Sequence, residues 1–147
     1  MIKTKYLISY LTIFLLMMLS ETNFGQTYGK LYTKTEGEQL YGKVTKSFQF
    51  SSEEVNSFLN KTEIVLMFNI NDNKLFILGD GRKPIYPLIE TVNSEEVFRV
   101  FSVSLIQELI EKGKSSITYF EKRNTVLTIT NGEYLLEYGL PCPPVCP

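Results

Sequence analysis

Polar and apolar positions along the chain recur with periods that name its elements. Leu40, Val44, Phe48 and Phe50 fall at even spacing opposite Tyr41, Lys43, Thr45, Ser47 and Gln49, the period-two pattern of a strand with one buried face. Residues 28–34 read as an earlier strand, with Thr35-Glu36-Gly37-Glu38 as the turn between the two. Ser51-Ser52-Glu53-Glu54 supplies a serine cap and first-turn carboxylates, and Val55, Phe58 and Leu59 follow at helical spacing. A short helix ending near Lys61 is expected there. Apolar residues 64–70 and 74–78 flank Asn71-Asp72-Asn73 as a β-hairpin.

Gly79-Asp80-Gly81-Arg82-Lys83-Pro84 is an irregular loop, and a strand resumes at 97–101. Leu105, Ile106, Leu109 and Ile110 form the apolar face of a second helix over 104–112, with Gly113 as its stop. Residues 117–122 and 125–130 make another hairpin. Asn131-Gly132 then reads as a type I′ turn into a last strand over 133–138.

Two stretches match at an offset of 51 to 52 residues. Phe50-Ser51 falls on Phe101-Ser102, and Val55, Phe58 and Leu59 fall on Ile106, Leu109 and Ile110. Residues 64–68 fall on 116–120, and Leu75 and Ile77 on Leu127 and Ile129. Two readings stand: a duplicated β-α-β-β unit, or a coincidence among apolar strands, which align easily with one another. The expected class is α+β, a mostly antiparallel sheet with two short helices on one face.

The N-terminus follows neither period. Lys3 and Lys5 precede an apolar run over 6–19 that breaks at Ser20-Glu21-Thr22-Asn23, the layout of a secretory signal peptide cut after Gly25. The run is shorter than the roughly 20 residues a membrane span requires. The expected division is a signal peptide at 1–25, one α+β domain at 26–140 and a Pro/Cys tail at 141–147. The protein is expected to be secreted or periplasmic, with no stable membrane insertion after signal removal.

Composition narrows the chemistry. A chain of 147 residues suits one domain, and 15 basic against 16 acidic residues leave no field to attract nucleic acid. With no histidine, Ser-His and Cys-His dyads, imidazole metal ligands and a histidine base are all excluded. Both cysteines sit in Pro141-Cys142-Pro143-Pro144-Val145-Cys146-Pro147. A polyproline path advances about 3.1 Å per residue and would hold Cys142 and Cys146 roughly 12 Å apart. A disulfide requires Cα atoms within about 7 Å, so the segment must reverse, through a cis bond before Pro143 or Pro144. An intramolecular disulfide heads the readings. Intermolecular pairing and free thiols that bind a soft metal or exchange disulfides follow it.

Neighbouring carboxylates at Glu53-Glu54 and Glu95-Glu96 point in different directions and read as a helix first turn and a solvated strand start. Asp80, Arg82 and Lys83, on a glycine-bearing loop, are candidate contacts for a polar partner. Nine tyrosines and ten phenylalanines are many, and Tyr32, Tyr41 and Tyr134 are candidate contacts on a sheet face. No catalytic constellation, cofactor or metal site is legible. The expected function is an exported, non-enzymatic module that contacts a protein or glycan partner. The alternative is a thiol protein acting through Cys142 and Cys146, and a carboxylate enzyme comes third.

Overall fold

Two five-stranded antiparallel sheets carry the fold, where a single sheet was expected. The computed structural model describes residues 25–88, 91–124, 126–137, 139–143 and 146. Except for Gly25, the expected leader lies outside the described residues, and so does Tyr138. In chain order the first elements are β1 (Lys30–Thr33), α1 (Lys34–Tyr41), β2 (Val44–Ser51) and α2 (Ser52–Leu59). The hairpin of β3 (Val65–Asn71) and β4 (Lys74–Gly79) leads through a 3₁₀ turn to β5 (Lys83–Tyr86). Then come β6 (Phe98–Ser102), α3 (Val103–Gly113), β7 (Ile117–Arg123), β8 (Val126–Asn131), β9 (Tyr134–Glu137) and β10 (Leu140–Cys142). The class is α+β and mostly sheet, with three α-helices among the described residues where two were expected.

The first sheet runs β1-β9-β8-β7-β2 and the second β10-β6-β3-β4-β5. Each is built by an exchange: β2 joins the β7–β8 hairpin, and β6 joins the β3–β4 hairpin. Ser51 faces Ile117 across one junction and Ser102 faces Val65 across the other. Within the hairpins Phe120 faces Ile129, and Phe68 faces Ile77. The main core draws on both sheets and both apolar helices. Phe68, Ile77 and Phe101 meet Phe120, Ile129 and Leu136, with Val55, Phe58, Ile106 and Leu109 alongside. Rings of Phe68 and Phe120 cross edge to face at 5.0 Å, and those of Phe68 and Phe101 stack at 5.5 Å. A smaller cluster of Val65, Met67, Leu78, Phe98, Val100 and Cys142 fills the opposite face of the second sheet.

Residues 34–41 form α1, not a turn followed by a strand. The signal was present in Thr33-Lys34-Thr35-Glu36, a capping box in which the Glu36 N–H donates to Thr33 Oγ1 and the Thr33 N–H to the Glu36 carboxylate. Gly37 masks it, because glycine in a helix interior argues against a helix. Here the glycine is buried, and a Cβ would overlap the Leu135 side chain. The expected α2 cap is present, with the Glu54 N–H donating to Ser51 Oγ.

The β3–β4 turn is where it was expected, and the β8–β9 turn and the end of α3 differ from expectation. Asp72 and Asn73 have φ of 46° and 61°, so the paired positive φ of a type I′ turn belongs to the β3–β4 hairpin. In the β8–β9 turn Asn131 pairs with Tyr134 and leaves Gly132 and Glu133 central. Gly132 alone of these two has positive φ (55°), the arrangement of a type II′ turn. The left-handed residue that ends α3 is Lys114, not Gly113. Gly113 lies against the β8–β9 turn, where a Cβ would run into the Asn131 backbone.

Candidate functional site

The expected contact residues fall in three places. Asp80 lies under the α2–β3 connection and accepts backbone N–H groups from Glu63, Ile64 and Val65 at 2.7, 3.1 and 2.9 Å. Burial opposes ionisation of this carboxyl, yet the three backbone donors outweigh it and hold the pKa below the usual aspartate value. Arg82 reaches in the opposite sense. Its guanidinium donates to the carbonyls of Cys142, Glu96 and Asn93 at 3.0, 2.9 and 3.2 Å and lies over the Phe98 ring. Both charges thus hold segments of the chain together. Lys83 remains exposed and lines an open cleft of about 310 Å³ with Asn60, Lys61, Thr62, Glu63 and Asp80.

Arg82 also ties down the C-terminal segment. Residues 140–142 continue the second sheet as β10, so the expected domain edge at 140 falls inside a strand. Cys142 is fully buried, and its Cα lies 4.9 Å from that of Cys146, within disulfide distance. The Cys142–Pro143 peptide is cis, the reversal that the proline spacing calls for.

Tyr134 points to the main core and packs against it. Tyr32 and Tyr41 lie on the other face of the first sheet. Strand alternation explains the split. Along β9, Tyr134 and Leu136 face the core while Leu135 and Glu137 face away. Helix α1 covers that outer face by packing Gly37 on Leu135. This brings the Tyr41 ring to 5.7 Å from Tyr32, edge to face. Burial first, and then the neighbouring Tyr32 and Glu137, push the Tyr41 phenol above its ordinary pKa, so it keeps its proton. Glu137 in turn lines an open cleft of about 270 Å³ with Arg99, Gly139, Leu140 and Pro141.

The same outer face holds a buried ion pair beside this group. Arg123 is fully buried, and its Nη2 donates to Glu121 at 2.8 Å. Glu121 also accepts from the Thr130 hydroxyl at 2.8 Å. Arg123 Nη1 donates to the Gly42 carbonyl at 3.0 Å, where α1 ends. That helix has no basic residue in its own last turn, so β7 supplies the cation that its C-terminus favours. Along β7, Tyr119, Glu121 and Arg123 alternate with Thr118, Phe120 and Lys122, and the strand expected over 117–122 stopped short of Arg123. Nothing local marks them as covered.

The candidate site is therefore Tyr32, Tyr41 and Glu137, with Arg99 across the adjoining cleft. Tyr32 and Tyr41 were named as candidates from sequence, Tyr41 on a strand face where it lies in a helix, and Glu137 and Arg99 were not named. Among the described residues no group of three or more Cys, Asp or Glu side chains could hold a metal ion. No described helix is long and apolar enough to cross a membrane. In comparisons with known proteins, no family model, curated protein or solved structure matches the chain.

Proposed function

We propose that this chain is an exported, non-enzymatic binding module that contacts a protein or glycan partner through the Tyr32–Tyr41–Glu137 surface. Its residues 1–25 act as the leader that carries it to the periplasm or the medium. One observation carries the reading: two tyrosines from different elements meet edge to face, ring centres 5.7 Å apart, with the Glu137 carboxylate beside Tyr41 at the lip of a cleft. Tyrosines held in place before contact lose little further freedom on binding, and each offers an apolar ring with a polar tip. Arg99 and Glu137 set charges of both signs in the adjoining cleft. The two β-α-β-β units descend from a duplication in this account, supported by the matching registers of the two exchanged junctions.

The test combines glycan arrays with photocrosslinking in the producing cells from position 30, whose exposed lysine lies over the Tyr32 ring. Capture of one glycan class or one protein is expected, and Tyr32→Ser with Tyr41→Ser lowers it about tenfold or more. Cys142→Ser with Cys146→Ser leaves it intact. Capture that survives the tyrosine changes and is lost with the cysteine changes would move the function to the thiols.

A further inference from the structure

We propose that the open edge of β2 pairs antiparallel with β2 of a second copy, about a twofold axis at Phe48, joining two first sheets into one. The pairing uses the sheet edge opposite β1 and Tyr32, so it stands or falls separately from the binding surface above.

Alternation identifies the free groups. The Ser52 N–H donates to the Ser116 carbonyl on the β7 side at 2.8 Å. Backbone groups of Ser51, Gln49 and Ser47 must then turn away from β7. The Ser51 N–H is taken by the Glu54 carboxylate at 2.7 Å, which leaves the N–H and C=O of Ser47 and Gln49 open among the described residues. The other sheet edges are guarded. Strands β1 and β5 have four residues each and β10 has three, with Pro84 and Pro141 on the last two. By contrast β2 has eight residues and no proline.

The molecule already displays this pairing once. Strand β6 occupies in the second sheet the place of β2 in the first, and its outer edge is filled: Val100 faces Leu140 and Phe98 faces Cys142 in antiparallel register. The Ser102 N–H donates to the Tyr28 carbonyl at 2.8 Å, the bond that Glu54 pre-empts at Ser51. Val100 and Phe98 lie 51 residues after Gln49 and Ser47, the two open positions.

A second copy fits that edge by its own sequence. With the axis at Phe48, Ser47 of one copy faces Gln49 of the other, and both open residues of each copy are used. Phe48 then meets Phe48, and Lys46 lies opposite Phe50, so the strand's one cation meets an aromatic ring and not its own image. Lys46 already lies over a ring in the single chain, 5.7 Å from the Phe48 centroid. The contact is isologous and closes after two copies, which removes the edge without starting a fibre.

Sedimentation of the purified protein over a wide concentration series, with residue-resolved amide exchange, tests the pairing. A dimer is expected, with Ser47 and Gln49 amides that become protected as concentration rises. Gln49→Pro deletes only an outward N–H and should weaken self-association about tenfold or more. Ser47→Asp with Gln49→Asp, which keeps the backbone donors and sets like charges opposite each other, should do the same. A monomer at every concentration overturns the proposal, as does a dimer in which these two amides exchange freely. Protection that appears only on adding a different protein also overturns it and assigns the edge to that protein's strand.

Discussion

Arg123 is the residue whose surroundings depart furthest from its neighbours in sequence. A guanidinium with no exposed surface is tolerable because Glu121, Thr128 and the Gly42 carbonyl receive its donors. Arg123→Met should leave Glu121 buried without its cation and cost about 3–5 kcal/mol. Changing Glu121 as well, to Leu, should recover much of that loss, and urea melts of the two single variants and the double variant measure the coupling. Asp80 gives a pH signature. Its folded pKa lies below the unfolded value of 3.8, so its contribution is complete above 3.8 and is lost as pH falls through the lower folded value. Asp80→Asn should remove about 1–3 kcal/mol at neutral pH and flatten the acid limb of the stability curve. Acid titrations followed by circular dichroism would show it. Neither role could be read locally: Asp80 appears in sequence as a loop charge, and only the packing of β3 beside the 3₁₀ turn brings three N–H groups onto it.

Among the elements, α1 decides what the first sheet can present. A helix with glycine at its centre and little apolar surface is weak alone. It persists because its capping box closes one end, Arg123 serves the other, and Gly37 lets it sit on Leu135. An exposed helical glycine gains up to about 1 kcal/mol on conversion to alanine. Gly37→Ala should instead destabilise by about 1–3 kcal/mol, because the new methyl overlaps Leu135. A fall in denaturation midpoint, together with separation of the Tyr32 and Tyr41 rings seen by NMR, would check this. A rise in the midpoint would mean that α1 does not rest on the sheet through Gly37. Helices α2 and α3 differ in kind from α1. Their apolar stripes are strong, and both were legible to within a residue or two.

Across the whole molecule, the C-terminal segment joins distant parts: β10 borders β6, Cys142 fills the second core, and Arg82 grips its carbonyl. Closing the short loop from Cys142 to Cys146 should contribute about 2 kcal/mol by restricting the unfolded chain. Reduction should lower the melting temperature without abolishing the fold, and intact-mass measurement after alkylation without reductant should find no reactive thiol. Alternation and helical spacing were enough to place α2, both internal hairpins, β6 and α3, and β2 from Val44 onward but not its expected start at Leu40, which lies exposed in α1; the proline run was enough to demand a chain reversal before Cys146. These signals are local, since each depends on a period of two or 3.6 residues or on one fixed φ. Partnering is a different kind of fact. The exchange of β2 and β6, the split into two sheets, the burial of Glu121 and Arg123, and the meeting of Tyr32 with Tyr41 and Glu137 all depend on which surfaces come together. Strand periodicity states that a face is buried and leaves open what buries it, so those features were decided only when the sheets and α1 packed.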